Sequence, residues 1–291
     1  MMYDRFMSKK AEYHIPVTGN SKTAVDYLSS ASGLSRQKIK QAMQKGCVWL
    51  EQKHAGQTHV QRLRRAKKIL SEGSLLHCYY YEKVINCEPG AATLVSDQGA
   101  YSIWNKPSGM LSQGSKWGDH CTLYRWAEKH LKPERSAFIV HRLDRAASGL
   151  MILAHKKQLA VQFAKMFQDH QLEKRYRVSV NGDFSRIFPE GENRVTIAQE
   201  LSDGNAMRKA VSHARFISFD AQQNKSILEV SIETGRKHQI RKHLCGLGFP
   251  VVGDRLYGEY GKEESGVDLQ LSAISLAFVC PVSGEKKKFE L

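Results

Sequence analysis

The chain has 291 residues, enough for about two domains, and 41% of them are hydrophobic, which supports a real core and excludes bulk disorder. Its 44 Lys and Arg exceed its 29 Asp and Glu by 15, a surplus whose usual partners are nucleic-acid phosphates or anionic membrane surfaces. No apolar run approaches the roughly 20 residues of a membrane helix. The start, Met1 to Lys10, lacks the apolar core of a signal peptide, and no basic amphipathic helix with a broad apolar face is visible. Nucleic acid in the cytoplasm is therefore the expected partner, with no membrane.

The six cysteines contain no Cys-x-x-Cys pair and read as small buried hydrophobes in a reducing compartment. His238 and His243 are five apart, a spacing that does not align them on one helix face, so no metal is expected.

Residues 1–16 read as a polar tail. Residues 17–85 read as a small basic domain. Ala24, Tyr27 and Leu28 lie at helical spacing. A second helix is predicted from an N-cap at Ser35 to Gly46, with Ile39 and Met43 as its buried stripe and Arg36, Lys38, Lys40 and Lys45 as its charges. Strands are expected at Cys47–Leu50 and over 73–81. The run from Arg62 to Lys68, with Arg64 and Arg65, is a second basic cluster. Two basic runs bracketing one small helical unit favour phosphate contact over a merely solvated face. The order helix, turn, Ser-Arg helix, Gly, strand resembles an S4-type RNA-binding domain, although the loop after Leu50 is basic where that family usually has Asn-Gly.

Residues 86–98 read as a linker or connecting strand, and 99–291 as a second domain in which strands alternate with helices. Strands are predicted at Tyr101–Trp104, Phe138–Val140 and Leu150–Ala154, and a core helix with Ala160, Phe163, Ala164 and Phe167 on one face. Tyr176, Val178 and Val180 alternate with Arg175, Arg177 and Ser179, and Leu228, Val230 and Ile232 alternate likewise. The expected class is α+β, with a mixed, largely antiparallel sheet, preceded by the small N-terminal domain of helices and strands (α/β).

Three segments could carry chemistry. In His141-Arg142-Leu143-Asp144-Arg145, a charged loop sits between two apolar strands. A carboxylate beside fixed positive charge favours its ionised form and can act as a nucleophile or stabilise a cationic sugar centre. An Asp paired with Arg to cap a turn is the plainer reading. In Glu233-Thr234-Gly235-Arg236-Lys237-His238-Gln239-Ile240-Arg241, a strand is predicted to end, Thr234 to cap, and a helix to begin near Arg236. Its start could hold phosphate through Arg236, Lys237 and His238 while Arg241 points inward; a basic surface helix is the alternative. Tyr176, on an inward strand face, is either core or a ring that stacks on a base.

The string His-Arg-Leu-Asp-Arg-x-x-Ser-Gly-Leu at 141–150, Lys174-x-Tyr176, and Thr234-Gly-Arg-x-His-Gln-Ile-Arg-x-His-Leu resemble the RluA-type pseudouridine synthases. Lys106-Pro107-Ser108-Gly109 matches that family's Lys-Pro-x-Gly, and Gly253-Asp254-Arg255-Leu256-Tyr257-Gly258 its Gly-Asp-x-x-Tyr-Gly. Two positions depart from the pattern: Ala147 stands where Thr is usual, and Ser272 where His is usual. The resemblance implies a pseudouridine synthase fold over about 99–291 and isomerisation of uridine in ribosomal or transfer RNA, with no cofactor. It implies that Asp144 is the catalytic aspartate, Tyr176 stacks on the target base, Arg241 pairs with the aspartate, and Arg142 enters the RNA. Arg236 and His238 fall on RNA-facing or structural positions. Arg36, Lys40, Arg64 and Arg65 are the expected RNA contacts of the front domain, and a monomer is the default. Two other readings compete: an RNA-binding protein of the same fold whose chemistry is lost or secondary, and a carboxylate-dependent glycoside or nucleoside hydrolase. The hydrolase would need a second catalytic carboxylate, for which Asp254 and Glu233 are the available partners.

Overall fold

The structure, a computed structural model, describes residues 9–19, 21–203, 206–258 and 266–291. The chain divides into two compact units. The described residues through Gly90 form the first together with Gln113–Trp126; Ala91–Ser112 and Ala127–Leu291 form the second.

The first unit begins with β1 (Lys10–Pro16), α1 (Ala24–Ser32) and α2 (Arg36–Gln44). It continues through β2 (Val48–His54), β3 (Gln57–Arg62), β4 (Leu75–Tyr81) and the short α3 (Glu82–Ile85). The strands form an antiparallel sheet in the order β1-β4-β2-β3. Ser35 caps α2, its hydroxyl accepting the Lys38 N–H at 3.3 Å. Ile39 and Met43 are wholly buried, in one core with Leu28, Leu50, Leu76 and Cys78. β1 corrects the expected polar tail from Lys10 onward. Its odd residues Tyr13 and Ile15 pack against this core while the even ones face outward, an alternation masked in the sequence by its charges. Residues 1–8 lie outside the described residues.

Gln113–Trp126 belongs to the first unit, and a buried carboxylate is one of its ties. Asp119 accepts two hydrogen bonds from the Arg64 guanidinium, at 2.6 and 2.7 Å, and one from the Tyr124 hydroxyl at 2.5 Å, with Arg62 Nε at 3.2 Å. Burial opposes the charge of Asp119, but these donors outweigh it and hold the carboxyl below its ordinary range. Arg64 is engaged within the unit: its fork meets Asp119 and the Gln44 carbonyl, the latter at 2.6 Å. Arg65 and Lys40 are exposed, and Arg36 is exposed while paired with Asp26.

The second unit is built on a ten-stranded sheet. Its first elements are β5 (Thr93–Asp97) and β6 (Tyr101–Lys106), so the expected linker region contains an edge strand. After α4 (Leu123–His130) come β7 (Phe138–Ile139), β8 (Ser148–Ala154), α5 (Lys157–Gln168) and β9 (Leu172–Asn181). The long hairpin β10 (Arg194–Asp203) and β11 (Ala206–Asp220) leads to β12 (Lys225–Ile232), α6 (Gln239–Gly246), β13 (Leu271–Val279) and β14 (Lys286–Glu290). The main order is β10-β11-β12-β9-β13-β8-β6-β5, antiparallel except where β13 meets β8. At that parallel contact Gly149 has φ +111°, and a Cβ there would collide with the backbone of Ala273. Tyr101, Ile152, Phe163, Leu276 and Phe278 form the core under α5. Phe163 is buried as the helical pattern predicts, but Ala164 is exposed; Leu159 takes its place. Among the described residues no helix is long and apolar enough to cross a membrane.

Candidate active site

The loop 141–147 leaves β7 and enters β8, and nearly every residue of it is tied down. The His141 ring accepts the Ile152 N–H at Nε2, 2.9 Å, and stacks on Phe167. Burial, with the Lys174 charge added, pulls this imidazole down to about 3, so it stays neutral and able to accept. The Ser112 hydroxyl donates to the Leu143 carbonyl at 2.7 Å and accepts the Leu143 N–H at 3.1 Å. Ser108 donates to the Ala146 carbonyl at 2.8 Å.

Lys106 does most to close the loop. Its side chain is completely buried, and its ammonium donates to the carbonyls of Ala147 at 2.6 Å, Met110 at 2.9 Å and Pro107 at 3.0 Å, with Arg145 O at 3.4 Å. Burial lowers the amine to about 8, against the pull of the nearby Asp144 charge. Lys106→Met should leave these carbonyls without their donor, lowering stability by about 2–3 kcal/mol. Thermal unfolding measures this; an unchanged melting temperature would remove Lys106 from the clamp.

Asp144 stands at the centre of this rigid loop. Its Oδ2 lies 3.3 Å from Arg241 Nη1 and its Oδ1 3.7 Å from His238 Nε2. Arg241, buried on α6, is aimed by a second carboxylate: its Nε and Nη2 each donate to Asp254 at 2.7 Å. Burial disfavours the Asp254 charge, but Arg241 and the amides of Leu256 and Tyr257 outweigh it and keep the carboxyl below its ordinary range. Burial likewise works against the charge of Arg241, and Asp254 and Asp144 more than compensate. The Tyr257 ring lies under the guanidinium at 5.1 Å, and its hydroxyl meets His238 Nδ1 at 2.9 Å. Burial is the main reason that His238 is held below the usual imidazole range.

Arg142, Asp144, Tyr176, Arg236, His238 and Arg241 line one narrow pocket of about 90 Å³. The front-unit candidates Arg36, Lys40, Arg64 and Arg65 belong to the first unit. Tyr176 is buried on β9 with Val178 and Val180, the inward face that its alternation predicts, and burial together with the Asp144 charge raises its phenol. Arg142 is exposed at the pocket. Arg236 donates from Nε to the Lys209 carbonyl at 3.2 Å.

The helix does not begin near Arg236. It begins at Gln239, after His238 at φ +56°, and Thr234 is no cap. The Gln239 side chain organises this turn by accepting from the Thr234 hydroxyl at 2.7 Å and from the Arg236 N–H at 3.1 Å. The spacing of His238 and Arg241 therefore places both at Asp144 for a different reason than a shared helix face. His243 turns away, buried against Ser212.

Both proposed partners for a hydrolase are engaged. Asp254 is locked on Arg241, and the exposed Glu233 binds His213 at 2.8 Å. One carboxylate, Asp144, is presented to the pocket, which is a poor arrangement for two-carboxylate hydrolysis. Sequence reasoning missed the positioning work of Lys106, Asp254 and Tyr257. Their signal was available in the Lys-Pro-x-Gly and Gly-Asp-x-x-Tyr-Gly segments, where charged residues interrupt buried stretches.

Residues 100–245, just over half of the chain, match the family model described as RNA pseudouridylate synthase. The chain belongs to this family. It is 31% identical to a ribosomal large subunit pseudouridine synthase D of Zymomonas mobilis, over 65% of this chain and 65% of that protein, so it spans just under two thirds of that relative. It is 29% identical to a tRNA pseudouridine synthase C of Vibrio cholerae, over 61% of this chain and 81% of that one. The human RNA pseudouridylate synthase domain containing 1 shares the fold, with TM-score 0.58 and 22% identity over 70% of this chain and 86% of that one. The α+β class with a largely antiparallel sheet is thus the fold of this family.

Proposed function

We propose that this chain converts specific uridines of ribosomal or transfer RNA to pseudouridine, as a monomer in the cytoplasm. The observation that carries this reading is the Asp144 carboxylate, fixed by a clamped loop and by an arginine that Asp254 holds, at a pocket shared with Tyr176. The reaction breaks the N1–C1′ bond, turns the base and joins C1′ to C5; C5 loses a proton and N1 gains one. Atoms and oxidation state balance without a co-reactant. The base must leave its stack, at a cost of a few kcal/mol. Arg142, exposed at the mouth, would fill the gap, and the Tyr176 ring would stack on the displaced base. Arg241 positions the Asp144 charge, and Arg236 and His238 lie where RNA would pass.

The first unit serves in this reading as an S4-type RNA-docking domain over about 17–85, with Arg36, Lys40 and Arg65 on its surface. Arg65→Glu should weaken RNA binding and flatten its salt dependence, with an unchanged melting temperature. Arg64→Glu should instead place a second carboxylate against buried Asp119 and destabilise the unit by about 3 kcal/mol or more. Unchanged RNA affinity in Arg65→Glu would leave the first unit with another purpose.

A chemical map of pseudouridines in total RNA, from cells with and without the gene, tests the whole reading. One or a few sites should vanish, return with the wild-type gene and stay absent with Asp144→Asn. An unchanged map, with no turnover of unmodified transcripts by the purified protein, would reject it.

A further inference from the structure

The pocket that holds Asp144 shares a wall with a much larger groove. This groove, of about 940 Å³, runs between the end of α5, β9, β12 and the β13–β14 hairpin. Lys174 lines both spaces. It lies two residues before Tyr176 on β9 and so on the same face of the strand.

The surroundings of Lys174 are unusual for a partly buried cation. Its ammonium rests 5.1 Å from the centre of the Phe167 ring, and that ring is stacked on neutral His141. No hydrogen bond or ion pair to Lys174 occurs among the described residues. The neighbouring carboxylates are already matched: Glu173 with Arg175 at 2.6 Å, Glu233 with His213 at 2.8 Å, and Asp144 with Arg241 at 3.3 Å. Burial alone pulls the Lys174 amine down to about 8, so the free protein holds this charge at a cost that an incoming anion would offset. The far rim of the groove adds Lys286, Lys287 and Lys288, the last two bound to Glu285 and Glu290.

We propose that Lys174 is a phosphate subsite, where a phosphodiester adjoining the displaced uridine binds as the RNA strand passes from the Asp144 pocket into the groove. The inference rests on the RNA reading above and adds to it the path of the strand. The junction favours a phosphate over a base contact. The base enters the pocket beside Tyr176, whereas the backbone must cross the shared wall, where Lys174 pairs with no anion among the described residues. A lysine fits this task, since an ammonium binds phosphate as a point charge without demanding a planar partner.

Binding of a short oligouridine across a salt series tests this, with the wild type, Lys174→Met and Lys174→Arg. Lys174→Met should bind about three- to tenfold more weakly at moderate salt, with a slope against log salt shallower by about 0.7, and Lys174→Arg should keep most of the affinity. The melting temperature of Lys174→Met should equal or exceed that of the wild type, which separates lost contact from lost fold. On an oligouridine with uncharged methylphosphonate linkages, the wild type and Lys174→Met should bind alike. Equal affinity and slope on the phosphodiester would overturn the proposal. So would an equal loss on both backbones, which would assign Lys174 to the base. A wild type that binds no RNA would instead reject the RNA reading itself.

Discussion

Asp144→Asn should lower turnover on RNA by about 10⁴-fold or more while leaving RNA affinity and stability close to wild type. The separation follows from how the loop is held. Its anchors are backbone groups: the Leu143 N–H and carbonyl on Ser112, and the Ala146 and Ala147 carbonyls on Ser108 and Lys106. None uses the Asp144 carboxylate. The variant also leaves no buried cation stranded, because Arg241 keeps its two bonds to Asp254. An amide at 144 can still accept the Arg241 Nη1–H, so geometry survives and charge alone is lost. Release of label from C5-tritiated uridine in RNA measures turnover, since the C5 hydrogen must leave when C5 joins the sugar. Turnover of wild-type order in Asp144→Asn would remove Asp144 from the chemistry. A large drop in melting temperature would mean that the carboxylate also holds the fold.

The sequence displays this site unevenly, for physical reasons. Period-two patterns are strong where one face is buried, so Tyr176 on β9 and the strands around it were legible. The class of the sheet followed from those strands. The start of α6 was not legible, because a side chain five residues beyond Thr234 takes the hydroxyl that would otherwise cap. β1 was hidden by its own outward-facing charges, since pairing to β4 needs backbone groups that composition does not reveal. The fate of Arg64 depends on Asp119, which is 55 residues away in sequence, and no local pattern reports such a partner. The same holds for Asp254: a lone Asp after glycine reads as a turn until Arg241 is seen against it.

Asp254 therefore carries the second large expectation. Its side chain is wholly buried, and Arg241 is 5% exposed, so each is the other's principal compensation. Asp254→Ala should cost about 3–5 kcal/mol, because it leaves the guanidinium buried with one weak partner. Arg241→Met should fall at the lower end of that range, since Asp254 keeps the amides of Leu256 and Tyr257, at 2.9 and 3.1 Å. Both single variants should also lose turnover. Asp254→Ala removes the two bonds that aim Arg241 at Asp144, and Arg241→Met leaves Asp144 unaimed. The double variant Arg241→Met with Asp254→Leu separates stability from chemistry. Apolar replacement of both partners of a buried pair is often neutral, so melting temperature should return most of the way to wild type. Turnover should not return, because Asp144 then lacks the guanidinium that aims it. Recovery of both together would show that the pair acts only through the fold. Recovery of neither would mean that Leu and Met cannot fill the space of the pair beside Tyr257, and that the pair is needed for packing as well as for charge.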